Sequence, residues 1–135
     1  MKTLQLLTVS LSVLLLAFCS STEDTLRELQ EIPPEFKRSG MISSNTYQVY
    51  MQIFATSAKE AQVSGLAKGR KRAMELITRE PFLPRYPTYQ GKLKLEAIIN
   101  SYGRVVRVHP INQDYWGVVF QVHKIGLREE FRRIW

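Results

Sequence analysis

TYQVYMQIFA, residues 46–55, alternates along its length: Tyr47, Val49, Met51 and Ile53 fall on one face, and Gln48, Tyr50, Gln52 and Phe54 on the other. Successive strand side chains point to opposite faces, and β-branched and aromatic residues suit a pleated surface. The stretch therefore predicts a strand with one well-buried face. Immediately after it, Ser57-Ala58-Lys59-Glu60 has the spacing of a capping box, with Ser57 as N-cap and Glu60 three positions on. A change of period from two to 3.6 across that box marks a strand followed by a helix.

The helix is expected to run to about Glu80, with Val63, Leu66, Ala67, Ala73, Met74 and Ile77 near one side. Ala61, Gly65, Gly69 and Ala73 recur every four residues, a ridge small enough to let a sheet or a partner helix approach closely. Each glycine costs a helix about 1 kcal/mol relative to alanine, so packing must offset both. Pro81 ends the helix, and the prolines at 81, 84 and 87 predict a stiff extended connection whose aromatics pack on the core, in preference to the alternative of a proline-rich ligand for a groove-binding partner.

Further along, Leu95, Ile98, Ile99 and Tyr102 share a helical face before Gly103. Residues 104–109 and 115–124 then read as two strands joined by a short loop, with Trp116, Val118, Phe120 and Val122 on one face. Pairing Val108 with Trp116 would set His109 opposite Tyr115. Leu127 to Trp135 reads as a short amphipathic helix. The expected fold is α+β: a small, mainly antiparallel sheet of about three strands, with a long helix and a second helix packed on one face.

Working towards the N-terminus, residues 20–45 are broken by Pro33-Pro34, Ser39-Gly40 and Ser43-Ser44-Asn45. Thr25 and Glu28 have capping-box spacing for a short helix, and the rest reads as a polar tether. Residues 1–18, MKTLQLLTVSLSVLLLAF, have one basic residue, Lys2, and a charge-free apolar run from Leu4 to Leu16. That matches a secretory signal peptide and is short for a bilayer span. The predicted organisation is a signal peptide at 1–18, a tether at 19–45 and one domain at 46–135.

Leu16-Ala17-Phe18-Cys19 resembles a bacterial lipobox of the relaxed kind found in spirochaetal lipoproteins; Phe18 stands where a small residue is usual. The resemblance covers the leader alone. It implies that Cys19 carries a thioether-linked diacylglycerol, with an N-acyl chain in some bacteria, and that two or three acyl chains anchor the protein to a membrane of the cell envelope. It leaves open the outer membrane or the periplasmic face of the inner one. A second outcome is ordinary cleavage with Ala17 and Cys19 as the small residues of the site, releasing a soluble protein that begins at Ser20.

Cys19 is the single cysteine of 135 residues, which excludes an intramolecular disulfide and a cysteine-based zinc site. The formal charge is +7, or +6 once Lys2 is removed with the leader. This balance favours anionic partners, and export ranks lipid headgroups or another envelope protein above nucleic acid. The densest positive run is Lys68, Arg70, Lys71 and Arg72, a candidate anionic-surface site on the long helix, beside the alternative of a solvated face.

Catalytic constellations are weak. His109 and His123 are expected to be solvent-facing and far apart along a hairpin. Glu129 and Glu130 are adjacent, and neighbours on a helix do not face one another. No serine lies in a G-x-S-x-G or S-x-x-K setting, and Gly65-x-x-x-Gly69-Arg-Lys lacks the phosphate-loop pattern. The expectation is a non-enzymatic envelope lipoprotein, without cofactor or metal, that binds or scaffolds. A soluble exported binding protein for an anionic ligand is the alternative, and an enzyme ranks last.

Overall fold

The computed structural model describes residues 32–83 and 87–135. The expected signal peptide, the lipobox-like segment with Cys19 and the first part of the expected tether lie outside the described residues, as does the middle of the proline-rich connection. Four strands form one antiparallel sheet in the order β1-β2-β4-β3: β1 (Gly40–Ser43), β2 (Thr46–Phe54), β3 (Gly103–Pro110) and β4 (Tyr115–His123). Among the described residues three α-helices accompany them, α1 (Ala58–Ile77), α2 (Tyr89–Tyr102) and α3 (Leu127–Arg133), with a single 3-10 turn at Pro34–Lys37.

The α+β class is as expected, but the sheet has four strands rather than three and the helices number three rather than two. The fourth strand is β1, from residues that the sequence reading gave to the tether. Four residues are too few to show alternation, and serines on either side look like loop. β1 forms because the two-residue turn Ser44-Asn45 folds it back on β2, pairing Ser43 with Thr46 and Gly40 with Gln48. Helix α3 has seven residues, too short to persist alone. It forms by burying Leu127 and Phe131 among Tyr47, Val122 and their neighbours. The turn at 44–45 also supplies its N-terminus: the Ser44 carbonyl accepts from Arg128 N–H, and Asn45 Oδ1 accepts from Gly126 N–H.

One sheet face makes the core. Tyr47, Val49 and Ile53 of β2 and Val118, Phe120 and Val122 of β4 are buried with Ala73, Ile77, Leu95 and Ile99 of the helices. The buried line of α1 is Ala61, Gly65, Gly69, Ala73 and Ile77, so the small-residue ridge itself meets the sheet. This rotates the helix from the expected face: Val63 is 67% exposed, and Leu66 and Met74 flank the contact. Ser57 Oγ accepts from Glu60 N–H at 3.1 Å, as the capping box predicts. The Glu60 carboxylate in turn accepts from the Thr56 hydroxyl and backbone N–H, which hold it below its ordinary value.

The opposite face carries Gln48, Gln121, Val119, Arg107 and His109, and residues 32–39 cross it as a strap. Gln48 is 1% exposed; its Nε2 donates to the carbonyls of Glu35 (2.9 Å) and Arg38 (2.8 Å), and its Oε1 accepts from Gln121 (2.9 Å). The Arg107 guanidinium lies 4.9 Å from the Phe36 ring centroid. Of the connection at 81–89, Phe82 packs on the core as expected and Leu83 joins it, whereas Tyr89 is 73% exposed.

Candidate functional site

Helix α1 lies along the sheet rather than across it. Gly65 sits over Val118 and Gly69 over Phe120, so four helix residues advance with two strand residues. Those spans agree, about 6 Å of helix against about 6.8 Å of strand. Since β4 is antiparallel to β2, α1 runs antiparallel to β2 as well.

That orientation sorts the basic run. Lys68, Lys71 and Arg72 line a groove of about 400 Å³ between α1 and the outer part of β2, with Tyr50, Gln52 and Ile53 on the other wall. Lys68, Lys71 and Arg72 are exposed. Arg72 bonds Glu75 at 3.0 Å, while Lys68 and Lys71 have no ion-pair partner among the described residues. Arg70 lies outside this groove but shares with Lys71 and Glu75 a neighbouring cavity of about 430 Å³ between α1 and α2. It turns towards α2, where its guanidinium lies 3.4 Å from the Asn100 carbonyl and its Nε is buried without a partner. Arg70 thus braces the last turn of α2, whose carbonyls attract positive charge. The structure places Lys68, Lys71 and Arg72 on one groove, and Arg70 beside Lys71 on the next, where it also packs against the end of α2.

Sequence reasoning missed the backbone beside these cations. β1 leaves β2 after Gln48, and Tyr50 N–H donates to Ser39 Oγ at 3.1 Å on that outer side. Ala55 N–H points the other way, to the Asp114 carbonyl at 3.1 Å. N–H and C=O of one strand residue point to the same side, and sides alternate, so those of Gln52 and Phe54 face out of the sheet edge. Among the described residues no strand pairs with this stretch. The signal was present in the alternation of 46–55, but only the knowledge of which strands flank β2, and for how far, converts it into an open edge.

The histidines do not converge. A bulge at Val106 shifts the register of β3, so His109 stands opposite Gly117 rather than Tyr115. It is 7% exposed rather than solvent-facing, with neither ring nitrogen bonded. Burial, reinforced by the charges of Arg107 and Lys37, holds its imidazole below the ordinary histidine value. His123 pairs with Thr46, its Nδ1 2.8 Å from the hydroxyl. Gly117 and His123 lie six positions apart on β4, about 20 Å of strand. Glu130 contacts Lys124, and Glu129 bonds Arg132 at 2.9 Å, an exposed ion pair. Among the described residues no three His, Cys, Asp or Glu side chains are grouped to hold a metal, and no helix is long and apolar enough to cross a membrane.

Comparison with protein-family models, curated proteins and solved structures yields no match to this chain.

Proposed function

We propose that this chain is a non-enzymatic lipoprotein of a bacterial cell envelope, anchored through acyl chains on Cys19, whose domain binds an anionic partner. The binding role is carried by one observation: residues 32–135 hold seventeen basic and eight acidic side chains, a balance of +9, and Lys68, Lys71 and Arg72 gather on one groove. A surface of this sign concentrates anions and speeds their encounter. Anchoring is supported by the place of the single cysteine, where the apolar leader ends.

The twelve residues between Cys19 and Ile32 allow a reach of about 40 Å when extended, enough for a small domain to stand clear of the headgroups. The test is detergent phase partitioning of wild type against Cys19→Ala expressed in a bacterium. Wild type should enter the detergent phase and the variant should not; equal partitioning of both would remove the anchor. A second reading, a soluble exported binding protein, is favoured by the small residues Ala17 and Cys19 two apart. The mass of the mature N-terminal peptide separates the two, since one begins at an acylated Cys19 and the other at Ser20.

A further inference from the structure

We infer that the outer edge of β2 from Gln52 to Phe54, continuous with the cationic groove that α1 forms along Tyr50 to Ile53, is a docking site for an acidic segment of a partner protein that adds to the sheet as a further strand. The inference deepens the anionic-partner role proposed above and is independent of lipidation at Cys19.

Two features of different origin coincide here. The first is the backbone: N–H and C=O of Gln52 and Phe54 face outward, and no described strand covers them. An extended peptide satisfies such groups by main-chain hydrogen bonds about 4.8 Å from the edge. The opposite edge of the sheet is blunted. β3 has a bulge at Val106, charged Arg104 and Arg107, and Pro110 at its end, devices that discourage pairing. Gln52 and Phe54 carry no such device on their own strand, although both are exposed.

The second feature is charge at a matching repeat. α1 runs antiparallel to β2, so Lys68 and Arg72, one turn apart, stand about 6 Å from each other along the edge. Alternate residues of an added strand are spaced by about 6.8 Å. A segment with Glu or Asp at every second position would present its carboxylates to Lys68 and Lys71, which have no ion-pair partner among the described residues. It would also present them to Arg72, where they compete with Glu75 on the same groove. Its intervening side chains would meet the other sheet face, where Phe54 and Tyr115 form an exposed edge-to-face pair at 5.8 Å. Apolar residues fit there. The same cations oppose a second copy of this chain, which would bring its own Lys68, Lys71 and Arg72 to the junction.

The probe is a blocked heptapeptide alternating glutamate with valine and threonine, added to the full Cys19→Ser chain in uncharged detergent micelles. Amide spectra should show the peptide perturbing Gln52 and Phe54, with binding that weakens as salt rises. Replacing Lys68, Lys71 and Arg72 together by Gln should weaken binding by about tenfold or more while leaving the circular dichroism spectrum unchanged. Gln52→Pro should also weaken it, because proline removes an outward N–H and is tolerated at a strand edge. A peptide with alternate backbone amides methylated keeps its charge and should lose the same binding.

Equal binding of the methylated peptide, or of one with lysine for glutamate, would overturn the inference. So would absence of binding, self-association that perturbs the same amides, or perturbation by phosphatidylglycerol vesicles alone. Failure of any of these arms leaves the Cys19 partitioning result untouched.

Discussion

The α-carbon of Gly69 rests against the ring of Phe120: a β-carbon at position 69 would lie 2.5 Å from that ring's Cγ. Four residues earlier, a β-carbon at Gly65 would lie 2.7 Å from Cγ1 of Val118. These approaches set how closely α1 lies on the sheet, and with it the depth of the groove along β2.

Gly69→Ala is therefore expected to destabilise the domain. Alanine is the better helix former by about 1 kcal/mol, but overpacking a fitted contact costs about 1–3 kcal/mol. Phe120 is fully buried and has nowhere to withdraw. Urea unfolding should show a lower midpoint for Gly69→Ala, and Phe120→Leu in the same chain should recover part of the loss. A midpoint at or above wild type would mean that helix and sheet separate at little cost.

Much of this arrangement is legible in residues 46–80. Alternation fixes which face of β2 is buried, the capping box starts α1, and the four-residue repeat of small side chains marks a close approach. The apolar side expected from hydrophobicity includes Val63, Leu66 and Ala67, whereas the side that meets the sheet is the small-residue repeat itself. Hydrophobicity ranks valine above glycine, whereas the sheet selects the side that permits contact. β1 carries no pattern of its own, and α3, legible as a short amphipathic helix, does not announce its place beside the sheet; both are held there by the 44–45 turn and by tertiary burial. In the candidate site, the charges of Lys68, Lys71 and Arg72 could be seen in sequence. The turn of Arg70 towards α2 and the nearness of the other three to an open strand edge depend on the direction of α1, which no local pattern encodes.

The strap offers a second prediction. Gln48 is the polar residue that ties residues 35–38 to the sheet, accepting from Gln121 and donating to two carbonyls. Gln48→Leu fills similar space and leaves the carbonyls of Glu35 and Arg38 without that donor. Loss of a buried partner costs about 1–3 kcal/mol. Hydrogen exchange should become faster across residues 36–41, with β4 and α2 little changed. Unaltered protection in the strap would show that Ile32 and the stacking of Arg107 on Phe36 suffice to hold it.

The anchoring of α3 through Asn45 is also open to test. Asn45 Oδ1 accepts from Gly126 N–H at 2.9 Å, and Gly126 has φ of 72°, a left-handed conformation natural to glycine. Asn45→Ala and Gly126→Ala should each lower the melting temperature, the second through backbone strain of about 1 kcal/mol. Both effects should appear as fraying at Leu127–Arg133 in amide exchange. If neither variant alters exchange there, burial of Leu127 and Phe131 alone retains the helix.

His109 gives the fold a dependence on pH whose sign follows from its surroundings. The ring lies against Gly117, where a side chain would collide with it, and neither nitrogen has a hydrogen-bond partner. Arg107 on its own strand and Lys37 on the strap are the charges that face it, and both are positive. Burial first, and these cations second, lower its affinity for a proton relative to the ordinary value of 6.5. The unfolded chain therefore binds the proton more readily than the folded one. Above the ordinary value both states hold a neutral ring and stability is unaffected. As pH falls below 6.5, the unfolded state is protonated first and stability declines, until the pH drops below the lowered folded value. His109→Phe keeps an aromatic ring in the space and removes the titration. The two proteins should differ progressively in urea midpoint between pH 7 and pH 5, with wild type losing more; comparing them cancels the carboxylates common to both. Parallel pH profiles would show that water or a rearranged strap accommodates the charged ring.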